Sequence, residues 1–163
     1  MMVGSTLGSR TTGIIFNVQR FSTEDGPGIR TTAFMKGCPL RCLWCHNVEG
    51  INPNPQIVWH DNKCIGCLSC VDACPKRAIT KTADRLLTER DKCDACGKCA
   101  EVCTTKAREL IGQRVSTDEL FNEVLKDRIF YETSNGGVTA SGGEPTLQAD
   151  FVTELFSKCK SSD

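Results

Sequence analysis

The sequence predicts an α/β fold with a parallel sheet, interrupted by a compact cysteine-rich insert. Three observations carry this expectation. Strand-like segments alternate with amphipathic helix-like segments on either side of residues 60–112, an order that suits parallel strands joined by crossovers. Glycine-bearing loops follow two of those strands. Within residues 60–112 a run of four cysteines occurs twice, at a shift of 29.

The elements follow in order. "TGIIFNVQRFST" and "RTTAFMKG" are rich in β-branched and aromatic residues and suit strands. In the insert, "KCIGCLSCVDACPK" and "KCDACGKCAEVCTTK" each predict tight turns and a short helix starting near the fourth cysteine, with short strands and polar turns between them. Next, "STDELFNEVLKDRIFYE" places Leu120, Phe121, Val124, Leu125 and Ile129 at helical spacing, with Ser116 and Glu119 set for a capping box. "GGVTASGGEP" reads as a strand over Val138 to Ala140 running into a glycine-rich loop. In "ADFVTELFSKCK", Phe151, Leu155 and Phe156 share one helical face. The organisation expected is residues 1–59, an insert over 60–112, and a continuation over 113–163. In such sheets, sites form at the carboxyl ends of strands. Both "GCPLRCLWC" and "SGGEP" fall there, so the two loops can face a common cavity.

Composition narrows the chemistry. Twenty basic residues balance twenty acidic ones in 163, so no bulk charge draws the chain to nucleic acid or an anionic membrane. No apolar run approaches a membrane span and "MMVGSTLGSR" lacks the apolar core of a signal peptide, so the expectation is cytoplasmic. Twelve cysteines then point to metal ligation rather than disulfides, because thiols stay reduced in that compartment.

C-x2-C-x2-C-x3-C, given twice, is the bacterial two-cluster ferredoxin pattern, in which the fourth cysteine of each run ligates the other cluster. It assigns Cys64, Cys67, Cys70 and Cys103 to one [4Fe-4S] cluster and Cys93, Cys96, Cys99 and Cys74 to another. Pro75 follows the first run as the pattern expects, and Thr104 stands in its place after the second. Structural zinc is the alternative, but its ligands usually come as two pairs across a longer gap.

The stretch "GCPLRCLWCHN" differs. Cys38, Cys42 and Cys45 supply three thiolates where a closed cubane takes four. An open metal position is where chemistry happens. His46 or the remaining Cys159 could instead complete a closed site, although the helical setting of Cys159 reads more simply as packing.

"DGPGIRTTAFMKGCPLRCLWCHN" together with "NGGVTASGGEP" resembles the radical S-adenosylmethionine activating enzymes of glycyl radical enzymes, of the pyruvate formate-lyase activating enzyme type. The insert resembles the subgroup with two added ferredoxin-type clusters. The resemblance implies a radical S-adenosylmethionine β/α barrel and three [4Fe-4S] clusters, one site-differentiated and two of ferredoxin type. By it, Cys38, Cys42 and Cys45 hold the cluster whose unique iron chelates S-adenosylmethionine. Trp44 and His46 flank that cofactor, and Gly142, Gly143 and Glu144 receive its methionyl amino group. Asp25 to Gly28 shape the mouth where a partner loop enters. The activity implied is reductive cleavage of S-adenosylmethionine to a 5′-deoxyadenosyl radical, which takes hydrogen from a glycine of a partner glycyl radical enzyme. The electron comes from a donor such as flavodoxin or ferredoxin, and no individual catalytic side chain is implied.

Removing the insert leaves about 110 residues, enough for roughly three strands of a barrel at about 30 residues per strand-helix-strand unit. The family's barrel has six strands. The expectation is therefore a partial, truncated barrel, with a ferredoxin-like electron carrier or an inactive fragment as the alternative function.

Overall fold

The computed structural model describes residues 11–83 and 85–162 and divides into two compact units. One comprises the chain up to Asn54 and from Gly112 onward, and the other runs from Pro55 to Ile111. Among the described residues no helix is long and apolar enough to cross a membrane.

The larger unit is a four-stranded sheet with helices packed on one face. Its strands are β1 (Thr12–Ser22), β2 (Arg30–Met35), β7 (Gln113–Ser116) and β8 (Gly137–Gly142), in the order β7-β1-β2-β8. Only β2 and β8 are parallel, in register from Arg30 opposite Gly137 to Met35 opposite Gly142. β1 runs antiparallel to both β2 and β7. The wholly parallel sheet expected from the sequence is thus mixed. Residues 23–29 are too few for a crossover, and an antiparallel pair accepts a short connection where a parallel one does not.

The helical layer consists of α3 (Thr117–Leu125), α4 (Arg128–Ser134) and α5 (Ala149–Lys160). Ser116 and Glu119 form the expected capping box at the start of α3. Leu120 and Val124 of α3 meet Phe151 and Leu155 of α5 over Ile15, Ala33 and Met35 of the sheet, and Cys159 packs against this core. The single helix expected from residue 116 onward breaks at Lys126 and Asp127. There the Asp127 carboxylate turns inward, 1% exposed, to an ion pair with Arg20 and a 2.7 Å bond from Thr31 Oγ1. Tyr131 then donates its hydroxyl to the Val124 carbonyl at 2.8 Å. Ile129 beyond the break is exposed. Among the described residues β8 pairs only with β2, and beside it Phe121, Leu125, Tyr131, Val138 and Phe156 line an open cavity of about 500 Å³.

The smaller unit carries the repeat as an approximate twofold. Strands β3 (Gln56–Trp59) and β6 (Arg108–Ile111) pair antiparallel, as do β4 (Ile79–Lys81) and β5 (Leu86–Thr88). A shift of 29 takes β3 onto β5 and β4 onto β6. Crossing bonds obey the same relation, with His60 N–H donating to the Ala107 carbonyl and Glu89 N–H to that of Ala78, both at 2.8 Å. The short helices α1 (Ser69–Asp72) and α2 (Lys98–Glu101) contain the third cysteine of each run and end before the fourth, so that each starts five residues before the cysteine near which the sequence placed its start. They start early because Leu68 and Gly97, in left-handed conformation, turn the chain into them.

Candidate functional site

In the smaller unit, loop geometry repeats with the sequence. Left-handed backbone occurs at Gly66 and Ala95, at Leu68 and Gly97, and at Arg77 and Lys106, each pair 29 apart. Non-glycine residues hold that conformation only against a cost of roughly 1–2 kcal/mol each, so the surroundings enforce it. Alternating right- and left-handed residues turn successive N–H groups inward, the arrangement found around anionic iron-sulfur groups.

The cysteines converge in two sets. Cys64, Cys67, Cys70 and Cys103 line one cavity together with Trp59, Leu68, Leu86 and Arg108. Cys74, Cys93, Cys96 and Cys99 line a second with Ile57, Ile79 and Thr88. Each set draws three members from one run and the fourth from the other, and no disulfide joins any of the twelve cysteines. The Cys67 thiol is lowered below its usual range chiefly by the Ser69 hydroxyl at 3.5 Å. Burial pushes the Cys103 thiol up, but the Arg108 N–H at 3.4 Å and the Thr105 hydroxyl outweigh it and leave it lowered. Cys99, buried, is raised by desolvation. Four thiols around a largely apolar cavity, with amide donors aimed at sulfur, fit a cuboidal iron-sulfur group, whose ligands are thiolates.

In the larger unit, the other two motifs meet at the carboxyl ends of β2 and β8. Gly143 N–H donates to the Met35 carbonyl at 2.8 Å and Glu144 N–H to that of Gly37 at 2.7 Å. Gly37 and Cys38 donate in turn to Gly50 and Ile51, at 2.7 and 3.1 Å, closing the cysteine loop at its base. The contact requires glycine: a Cβ on Gly142, at φ +94°, would lie 2.8 Å from Met35 N, and one on Gly143 would collide with the Gly37 carbonyl oxygen. The Glu144 carboxyl, held below its usual range by the Thr146 hydroxyl and N–H, accepts both bonds on Oε1.

Within the loop, Cys42 is exposed and Cys38 and Cys45 are half-buried, with Cys45 N–H bonded to the Cys42 carbonyl at 3.1 Å. Trp44 is 77% exposed and His46 is exposed too, so Trp44 is not a core residue. Asp25 to Gly28 lie before β2, at the opposite end of that strand from the cysteine loop. Asp25 accepts from Ser22 at 2.5 Å and Thr32 at 2.6 Å, bonds that lower its carboxyl. Arg30 bridges to Thr139 and the Val138 carbonyl across the β2–β8 pair.

Two supporting residues escaped sequence reasoning. Lys36 is almost wholly buried and donates to the Glu49 carbonyl at 2.6 Å, fastening the far arm of the cysteine loop, while burial lowers its ammonium. Gln148 bonds both Ile14 backbone groups and the Lys36 carbonyl, standing in for a strand at the sheet end. A lysine directly after the buried strand "TTAFM" was the only available signal for the first; the second had none.

Comparison with known proteins gives concordant results. Residues 56–104 match the family described as 4Fe-4S dicluster domain. The chain is 47% identical over 154 residues to the (2S)-3-sulfopropanediol dehydratase activating enzyme of Klebsiella oxytoca, covering 91% of this chain and 49% of that one. It is 49% identical over 149 residues to the trans-4-hydroxy-L-proline dehydratase activating enzyme of Clostridioides difficile, at 91% and 49% coverage. With the benzylsuccinate synthase activating enzyme of Thauera aromatica it shares 49% identity over 150 residues, at 89% and 45% coverage. The chain spans about half the length of these curated relatives. With both motif loops joined at one sheet end and identity near one half along nine tenths of its length, the chain resembles about half of a glycyl radical enzyme activating enzyme.

Proposed function

We propose that this chain forms the cluster-bearing part of an activase that cleaves S-adenosylmethionine and generates a glycyl radical on a partner enzyme in the cytoplasm. The observation that supports this most is the backbone clamp joining the Cys38–Cys45 loop to Gly142–Glu144. An electron carrier needs the insert and has no use for that clamp.

In this reading Cys38, Cys42 and Cys45 hold a site-differentiated [4Fe-4S] cluster, and the eight insert cysteines hold two closed ones. When bound, the cluster and S-adenosylmethionine would supply the reductive cleavage to a 5′-deoxyadenosyl radical that the partner's glycine requires for loss of its hydrogen. The chain's own residues orient and shield. Gly142 and Gly143 bring backbone close to the cofactor's methionyl end, and Glu144, with Oε1 engaged by Thr146, offers Oε2 to its ammonium. Exposed Trp44 and His46 cover the cofactor and exclude water. Asp25 to Gly28, expected to shape the entry for the partner's loop, are held by Ser22 and Thr32 at the other end of β2 and have no part in this site. Flavodoxin or ferredoxin supplies the electron.

The test is electron paramagnetic resonance of the anaerobically reconstituted, reduced chain with and without S-adenosylmethionine. A shifted cluster signal on addition is the expected result. An unchanged spectrum with all clusters assembled rejects cofactor binding by this chain and leaves an electron-transfer role, the reading favoured if only the matched dicluster segment is functional.

A further inference from the structure

The two cysteine cavities of the insert are related by the 29-residue repeat, yet their walls differ at one buried position. Ile79, 4% exposed, lines the cavity of Cys74, Cys93, Cys96 and Cys99. Its counterpart 29 residues on is Arg108, 2% exposed, which lines the cavity of Cys64, Cys67, Cys70 and Cys103. A guanidinium has thus been taken out of water, and no carboxylate pairs with it among the described residues. Nη1 donates at 2.7 Å to Thr88 Oγ1, in the wall of the second cavity, and the group lies over the Trp59 ring at 5.9 Å, so its charge also reaches Cys99 of the second set while its remaining donors stay unpaired. Nε and Nη2 are buried without an acceptor. Trp59 Nε1, in the wall of the same cavity, is buried without one as well. Among the described residues no such orphaned donor lines the second cavity.

Buried donors are nearly always satisfied, so unpaired ones on two residues that line the same cavity call for an acceptor-rich occupant. A [4Fe-4S] cluster with four thiolates is anionic, presents sulfur acceptors and gains negative charge on reduction. Hydrogen bonds to its sulfurs and nearby charge set its potential. Resting on the reading that the insert holds two such clusters, we propose that Arg108 and Trp59 donate to the sulfurs of the cluster held by Cys64, Cys67, Cys70 and Cys103. The uncompensated guanidinium makes that cluster easier to reduce than its site would otherwise allow, so one arginine renders two halves of a repeat unequal. Arg108 is a positioning and tuning residue, not a catalytic one.

The test uses the full chain, reconstituted anaerobically with iron and sulfide counted, and a redox titration followed by electron paramagnetic resonance. The signal altered in Cys67→Ser is assigned to the first cavity. In Arg108→Gln that signal is expected to need a potential lower by a factor of ten or more in the reduction equilibrium, about 59 mV for one electron, while the second cluster moves less. Arg108→Lys, which keeps the charge, should restore most of the loss. Both potentials unmoved at full iron content would overturn the inference. Should Arg108→Gln fail to take up iron, Trp59→Phe decides: a fall of about threefold supports it and an unmoved potential rejects it. A wild-type chain that assembles no clusters in the insert would reject the underlying reading instead.

Discussion

Asp127 shows how one carboxylate sets the path of the chain. Its pKa is lowered first by the hydrogen bonds of Arg20, at 2.8 Å to Nε, against the opposing effect of burial, and further by Thr31. Because the folded value lies below the unfolded one of about 3.9, the stabilisation is fully present above that unfolded value. It is lost as pH falls through the folded one. Removing one partner of a buried pair costs roughly 3–5 kcal/mol, and the partial exposure of Arg20 places this pair near or below the lower end. Asp127→Asn is therefore expected to lose about 2–3 kcal/mol at pH 7 in chemical denaturation. Its stability should also fall less steeply than wild type below about pH 4. An unchanged acid limb would show that Asp127 is not the group responsible. Asp127 was not legible beforehand as a helix breaker: it stands at helical spacing from Leu120 and Val124, and nothing local names Arg20 and Thr31 as its partners.

At the scale of elements, what a short segment can satisfy by itself was readable and what depends on distant partners was not. The capping box at Ser116 needs only residues three apart, and it formed as expected. Ser116→Ala should cost about 1 kcal/mol, measured as a shift in denaturation midpoint with unchanged slope and unchanged iron content. Phe151→Ala, in the core between α5 and the sheet, should cost about 3–5 kcal/mol. A loss close to that of Ser116→Ala would mean that the helical layer is loosely packed. The direction of β1 was misread because alternation reveals a strand and not its sense. The short helices of the insert were placed late because the left-handed turns at Leu68 and Gly97 carry no shared residue type.

For the whole molecule the two units predict separable chemistry. Each insert cavity draws its cysteines from within Pro55–Ile111, and the three remaining motif cysteines lie in the other unit. On the function proposed above, Cys42→Ala should therefore abolish S-adenosylmethionine cleavage and remove about a third of the iron, the share of one cluster in the three proposed. Both insert signals should persist in electron paramagnetic resonance. Proportional loss of all three signals would contradict separate assembly.

The sequence by itself determined the inventory of candidate ligands, because thiolate chemistry is written in residue type and spacing: two four-cysteine runs, one three-cysteine loop and a glycine-glycine-glutamate turn. It also picked out Leu120, Val124, Phe151 and Leu155 as core positions, since burial follows a period that local residues display, although Ile129 and Phe156 from the same expected faces lie exposed. Only the tertiary structure decided that β1 reverses against β2, that Asp127 breaks the helix, and that Lys36 and Gln148 hold the site loops together. The inequality of the two insert cavities also emerged there, because Arg108 differs from any surface arginine only in being buried beside thiols with its donors unpaired. Burial and pairing are properties of contacts between residues far apart in the chain, and a sequence pattern does not contain them.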